Sequence, residues 1–375
     1  MNNILKAQLL GQSIWYDNIN RELINNGYIK NLLDIGVTGL TSNPTLFEKA
    51  ISSSKLYDDD LLNLSKSGLS NEQIFESLAI DDIRNVAKLL LPIYKETNKK
   101  DGYVSLEVNP NLAFNSKGTI QEAKRIFNKL DFPNIMIKVP GTNEGVIALK
   151  ELISEGININ VTLIFSQESY FRVREGYISG LEKFEKNGGD LSQVHSVASF
   201  FISRVDTIID NQLNMLPSDS HFIRQKLLSS IGISNAKIAY EAFKKTFNSE
   251  RFKQLLTKGA NVQRPLWAST STKNPSYSDL KYADALIGNN TINTMTDVTI
   301  DALLAAEIEG MIPSNTLDNY LTEPETTMKL LSEAGIQLSE ITSQLLVDGL
   351  NSFSDSFDSL ISKIRNKQKQ LTLHS

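Results

Sequence analysis

The chain contains no cysteine, which excludes disulfides, thiolate nucleophiles and sulfur-ligated metal sites. That absence fits a cytoplasmic protein. Histidine is almost missing too: His195, His221 and His374 are the only three in 375 residues, and they lie far apart in sequence. A Ser-His-Asp triad or a histidine-rich metal centre is therefore not expected. His195 adjoins an apolar stretch and reads as structural, His221 sits in a polar segment, and His374 lies in the tail. No run approaches about 18 uncharged apolar residues, so no membrane span is expected. The apolar stretch within Met1–Lys6 is too short for a secretory signal. The net charge is −5 with both signs interspersed, and no basic stripe of the kind that tracks phosphate backbones stands out. The nearest candidate, Lys363–Lys369, reads as the basic last turns of a helix. Nucleic acid is not an expected partner, and oligomeric state is not readable.

What the chain does have is ordinary globular composition, 41% hydrophobic and 22% charged, with a strand-then-helix rhythm. Strands are expected near Ser13–Tyr16, Gly36–Ser42, Tyr103–Glu107, Ile135–Val139, Asn160–Phe165, Ser196–Phe201, Pro265–Ser269 and Ala285–Gly288, with Thr291–Met295 as the turn after the last. Asn143–Glu155 is the clearest helix, with Val146, Leu149, Leu152 and Ile153 on one face and Gly156 at its end. Leu78–Leu91 is another, with Pro92 beyond its end. Ser166–Asn187, Asn235–Phe247, Thr326–Ala334 and most of Ile336–Lys369 also carry helical spacing. Eight strands alternating with helices indicate a (β/α)8 TIM barrel. An open doubly wound sheet is the alternative, weakened because no glycine-rich phosphate loop follows the first strand. Helical elaborations are expected at about 49–77, 213–261 and 310–375. No internal repeat or low-complexity linker divides the chain, so residues 1–375 read as a single domain.

Lys138 sits inside the apolar run Asn134-Ile135-Met136-Ile137-Lys138-Val139-Pro140. Burial disfavours a charged lysine, and a neutral amine is a nucleophile toward ketones and aldehydes. A lone strand lysine more often snorkels outward or pairs with a carboxylate, so its company matters. In a barrel the site lies where strands end. Strand one delivers Asp17; strand two, Thr41 and Asn43; strand three, Glu107. Strand five puts Asn160 and Thr162 on one face, because they are two apart. Strand six gives Ser199, Phe201 and Arg204, and strand seven gives Ser269 with Lys273 following. Each residue has an ordinary reading alone: Asp17 as a helix cap, Glu107 as an ion-pair partner, Asn43-Pro44 as a turn, Thr162 as a β-branched strand residue, Arg204 as a surface ion pair. Seven strands aiming polar groups at one end is a pattern that those separate readings do not explain.

Several segments together resemble the transaldolases. Gly39-Leu40-Thr41-Ser42-Asn43-Pro44-Thr45-Leu46-Phe47 is similar to their strand-two signature, and Ile135-Met136-Ile137-Lys138-Val139-Pro140 to their Schiff-base lysine strand. Gly156–Ser166 resembles the fifth-strand motif, while Arg264–Ser271 and Asn293–Thr299 resemble the longer bacterial and plastid-type subgroup. The resemblance runs from about Trp15 to Asp301. It implies a class I aldolase barrel that moves a dihydroxyacetone unit from sedoheptulose 7-phosphate to glyceraldehyde 3-phosphate, with sugar phosphates as its only implied partners and no cofactor or metal. By position it implies that Lys138 forms the imine and Asp17 shuttles the proton at the C4 hydroxyl. Glu107 and Thr162 would hold the water lost in imine formation. Asn43, Asn160 and Ser199 would bind hydroxyls, with Thr41 supporting, and Arg204 would hold phosphate with Ser269. Shorter transaldolases carry a second arginine just after the serine of strand seven; this chain reads Ser269-Thr270-Ser271-Thr272-Lys273, which makes Lys273 the nearest cation. A ketose-phosphate aldolase that releases free dihydroxyacetone and a noncatalytic sugar-phosphate-binding barrel are the alternatives. Phe201 argues for transfer, and the intact Lys138, Asp17 and Glu107 argue for catalysis.

Overall fold

In a computed structural model, which describes residues 1–217, 220–308, 313–318 and 322–374, eight strands follow one another around a closed, all-parallel barrel. They are β1 (Gln12–Tyr16), β2 (Gly39–Thr41), β3 (Tyr103–Glu107), β4 (Ile135–Pro140), β5 (Ile159–Ile164), β6 (Ser196–Phe201), β7 (Arg264–Ala268) and β8 (Thr291–Met295). Closure is direct, with Gln12 opposite Thr291 and Tyr16 opposite Met295. Every residue of β1, β4, β5 and β6 is buried. That is the burial expected of parallel strands covered outside by helices and filled inside by side chains.

The helices that matter for the site are α1 (Pro44–Ser53), α2 (Asn71–Glu96), α3 (Ser116–Leu130), α4 (Asn143–Ile153), α5 (Gln167–Lys186), α6 (Ser203–Asn214), α7 (Ile231–Phe247) and α8 (Leu338–His374). The connection from β4 to α4 is tight. Thr142 caps the helix, its hydroxyl accepting from the Gly145 amide at 2.9 Å and donating to the Ala113 carbonyl at 2.6 Å. A Cβ at Gly145 would collide with the Pro140 carbonyl oxygen, so glycine is what lets the helix start this close to the strand carrying Lys138.

Two expectations are corrected. Ala285–Gly288 is not a strand: Lys281–Ala285 is a short helix, and the backbone of Ile287 is taken up by Thr316 and Leu317. The eighth strand is Thr291–Met295, read above as a turn. Its threonines and asparagine look turn-like, but all five residues are buried and the polar ones find partners inside the barrel. β-Branched content, not polarity, is the better guide here. Similarly, Pro92 does not end its helix; α2 runs through it. Pro92 is exposed, so the carbonyl that loses its donor faces water, and the apolar stripe continues to the buried Tyr94. β2 is also shorter than expected, Gly39–Thr41 rather than Gly36–Ser42.

The expected elaborations contain helices: Asp58–Lys66 in the first, His221–Leu227, α7 and Glu250–Leu256 in the second, and Thr322–Glu333 and α8 in the third. α8 runs across the end of the barrel where the strands finish. It is tied to α1 by Thr45 with Ser356 (2.8 Å), Ser359 with Glu48 (3.1 Å) and Lys367 with the Ile51 carbonyl (3.1 Å). At Gly349 an added Cβ would stand 3.0 Å from Leu163 and 3.7 Å from the Arg204 guanidinium. Among the described residues no helix is long and apolar enough to cross a membrane.

Candidate active site

Three candidate side chains are set side by side by strand register: Glu107 on β3 is opposite Lys138 on β4, and Lys138 is opposite Asn160 on β5. Parallel pairing without slippage is what converts a sequence position into a shared depth in the barrel. The Lys138 side chain is 7% exposed and that of Glu107 5%. Lys138 Nζ donates to the Ser42 carbonyl at 3.1 Å, stands 3.3 Å from Glu107 Oε2, and lies 5.8 Å from the centroid of the Phe353 ring on α8. Burial pushes the Glu107 carboxyl up, and the charge of Lys138 only partly opposes this. Beyond its ion pair with Lys138, Glu107 Oε2 accepts no hydrogen bond among the described residues, and Thr162 Oγ1, two register pairs along from Lys138–Asn160 at Pro140–Thr162, has no partner either. Two buried, under-satisfied oxygens beside one amine suit a small polar molecule such as water.

Asp17 follows β1, with its amide donating to the Met295 carbonyl at 2.9 Å. It does not cap the next helix; Asn20 does. Its carboxylate accepts from Thr41 Oγ1 at 2.7 Å, and Thr41 Oγ1 is also 2.9 Å from Thr294 Oγ1 on β8. Because the single Thr41 proton goes to Asp17, Thr294 is the donor of the second bond. Asn160 is fixed at both ends, donating to Ser105 Oγ (3.1 Å) and accepting from Ser199 Oγ (2.7 Å). Asn43 caps α1 by accepting from the Leu46 amide at 3.1 Å, which leaves its NH2 group outside the cap.

Phe201 is buried against Phe165, with ring centroids 5.1 Å apart, and the Arg204 guanidinium lies 5.2 Å over its face. Arg204 makes no hydrogen bond or ion pair among the described residues, and burial lowers its pKa while Asp17 opposes the shift. Ser269 adopts a left-handed backbone (φ 55°) just past β7, and its hydroxyl is 2.9 Å from Ser203 Oγ. Lys273 is exposed at the rim, where partial desolvation of its ammonium and then the charge of Arg204 lower its pKa.

All twelve sequence-derived residues except Glu107 and Asn160 line one cavity of about 300 Å³ at the barrel mouth. Asn160 lies behind Ser199, and Glu107 faces a neighbouring cavity. The structure adds residues that the sequence does not single out. Thr294 stands behind Thr41, on the strand whose polarity reads as a turn. Ser105 supports Asn160 and shares the inward parity of Glu107, a signal that period two would have given. Ser352 and Phe353 of α8 complete the cavity. Phe353 belongs to the stripe Leu350, Phe353, Phe357, Leu360, Ile364, which has nothing but core spacing to distinguish it.

Such a site offers a buried amine beside an acid, a second carboxylate on a separate strand, and two cations at the rim. Among the described residues no cluster of three or more histidine, cysteine or acidic groups is arranged to hold a metal. A family model described as transaldolase/fructose-6-phosphate aldolase matches residues 14–364. The chain is 42% identical over 385 aligned positions to Transaldolase 2 of Nostoc sp., covering 99% of each. It is 42% identical to Transaldolase of Trichodesmium erythraeum, again over 99% of each, and 39% identical to Transaldolase 2 of Streptomyces coelicolor over 96% of each.

Proposed function

The chain belongs to the transaldolase/fructose-6-phosphate aldolase family, and from that premise we propose that it is a transferase, a transaldolase working through an imine on Lys138 in the non-oxidative pentose phosphate pathway of the cytoplasm. It takes dihydroxyacetone from sedoheptulose 7-phosphate and gives it to glyceraldehyde 3-phosphate, forming erythrose 4-phosphate and fructose 6-phosphate. The observation that carries this reading is the buried Lys138 amine 3.3 Å from a carboxyl whose burial favours its protonated form.

Lys138 attacks the ketose carbonyl, and the carbinolamine loses its hydroxyl as water when Glu107 gives up a proton; Thr162 helps hold that water. Asp17, fixed by Thr41, removes the proton of the C4 hydroxyl as the C3–C4 bond breaks. The electron pair passes into the imine, giving an enamine. Asn43, Asn160 and Ser199 hold the hydroxyls of the three-carbon unit. Arg204 takes the phosphate, with Ser269 and Lys273 beside it; a guanidinium that stacks on Phe201 and has no hydrogen bond or ion pair among the described residues is free to bind phosphate in two-pronged fashion. The aldehyde acceptor then reverses the sequence. Phe201 supports transfer over release of free dihydroxyacetone, because a phenyl ring at the cavity wall excludes water and donates no proton.

Borohydride reduction in the presence of fructose 6-phosphate, followed by intact mass, tests this directly. The wild type gains one reduced sugar-phosphate or dihydroxyacetone adduct and Lys138→Ala gains none. An adduct on Lys138→Ala would move the nucleophile elsewhere, and no adduct on the wild type would leave a sugar-phosphate-binding barrel.

A further inference from the structure

A second cavity, of about 350 Å³, lies on the far side of the β2–β3 wall from the substrate cavity, between α1, α2, α3 and α8. Glu107 lines this cavity and not the one that holds Arg204 and Lys273. Ser42, whose carbonyl accepts from Lys138 Nζ, and Asn43 also face it. Its outer rim carries the exposed Glu72. One flank is aromatic: Phe47, Phe75 and Phe357 meet edge-on, with centroids 5.7 and 5.8 Å apart.

We propose that this cavity is a separate port through which water exchanges at Glu107 while the sugar phosphate occupies the barrel mouth. The proposal rests on the imine reading above and goes beyond it by assigning the route of the second reactant. In the carbinolamine, the former carbonyl carbon carries both a hydroxyl group and the lysine nitrogen. Imine formation breaks its carbon–oxygen bond: the hydroxyl leaves with the Glu107 proton as water, the nitrogen lone pair forms the iminium double bond, and Glu107 is left as carboxylate. Hydrolysis runs the same atoms backward. One water therefore leaves in imine formation, carrying the Glu107 proton, and one enters in hydrolysis to return it, while a cavity of about 300 Å³ roofed by α8 is filled with substrate. A path past the bound sugar is closed at that moment; the side on which Glu107 faces the second cavity is not.

Charge divides the two openings. Arg204 and Lys273 line the mouth and attract a phosphate dianion. The second cavity is lined by Glu72, Glu76, Glu122 and Glu107 with one cation, Arg125, which pairs with Glu76. Burial raises the Glu122 carboxyl; the Asn109 amide and Arg125 oppose the rise, and the charges of Glu76 and Glu72 add to it. The one lining cation, Arg125, is held by both oxygens of Glu76, and the exposed Glu72 stands at the rim, so this opening offers a phosphate dianion no free partner while it admits water. Glu107 lies at its inner end, with Oε2 turned to Lys138 at 3.3 Å.

The absence of cysteine from the chain makes a clean test possible, since Glu72→Cys can be labelled at one place after folding. The protein is alkylated with N-ethylmaleimide in one sample and with a bulky pyrene maleimide in another. Incorporation of 18O from labelled water into C2 of fructose 6-phosphate is then followed by mass spectrometry. That exchange needs imine formation and hydrolysis but no C–C cleavage. The port predicts exchange about tenfold slower under the pyrene label, with KM for fructose 6-phosphate unchanged. Equal exchange in the two samples overturns it, and so does a rise in KM, which would make the cavity part of the substrate route. No exchange and no borohydride adduct even with the small label would instead overturn the imine reading.

Discussion

Replacing Lys138 with methionine separates what the buried amine does for chemistry from what it does for stability. Methionine nearly matches the lysine stem and carries no charge. Its introduction leaves the Glu107 carboxylate without the ammonium 3.3 Å away, in a side chain 5% exposed. An uncompensated buried charge costs about 3–5 kcal/mol, and the carboxyl escapes that cost by keeping its proton. Burial already raises the folded-state pKa of Glu107 above the ordinary 4.5, with Lys138 opposing, so removing Lys138 moves it further up. The folded state then binds a proton that the unfolded chain has lost. Stability is therefore full below the unfolded pKa and falls as pH rises toward the folded one, by about 1.4 kcal/mol per pH unit. Lys138→Met should show that slope until Glu107 ionises. The double variant Lys138→Met/Glu107→Gln should lack it, because glutamine has nothing to titrate. Urea unfolding followed by circular dichroism from about pH 5 to about pH 8 measures the difference. If the single and double variants run parallel across that range, Glu107 is not held by Lys138 and the pairing argument is wrong. Both variants should fail to trap substrate.

Asp17→Asn should still form the imine, detected by borohydride trapping, while C–C cleavage nearly stops; Glu107→Gln should slow trapping itself, and equal loss of both steps in the two variants would contradict the division of labour. Arg204→Ala should raise KM for phosphorylated sugars by about 10–100-fold but leave dihydroxyacetone transfer from an unphosphorylated donor little changed; Lys273→Ala, at the exposed rim, should do less, and an unchanged KM in Arg204→Ala places the phosphate elsewhere. Phe201→Tyr puts a hydroxyl on a buried cavity wall beneath Arg204 and should increase free dihydroxyacetone formed without acceptor, read by coupled glycerol dehydrogenase; an unaltered ratio of release to transfer makes Phe201 a packing residue only.

The barrel was legible in the sequence because strands covered on both sides read as short apolar runs, and because inward parity repeats every two residues. That parity is what gathers Asn160 with Thr162 on one face of β5. It failed at β8, where Thr291 pairs with Gln12 and Gly288, Asn293 accepts from Thr270 and Thr294 meets Thr41, partners that lie in other segments of the chain. Glu107 was found, but not the direction it faces, since the cavity it lines is made by α2, α3 and α8 together. Phe353 was not found at all. Its spacing along α8 is that of any core residue, and only long-range docking turns one ring of that stripe toward Lys138.

The roof over the amine is encoded far from its floor. Met295 ends the last barrel strand, and Phe353 lies 58 positions later (353 minus 295). At roughly 5–20 residues per second, a ribosome needs about 3–12 s to cover that interval. During that time the strands that carry Asp17, Glu107 and Lys138 are all available to pair, but the helix that closes over them is not yet made. α8 then has to find α1 across contacts separated by 311 to 316 positions, such as Thr45 with Ser356 and Lys367 with Ile51. Contacts of such long sequence separation are slow to form. The ring that stands over Lys138 is therefore among the last parts of its surroundings to be made.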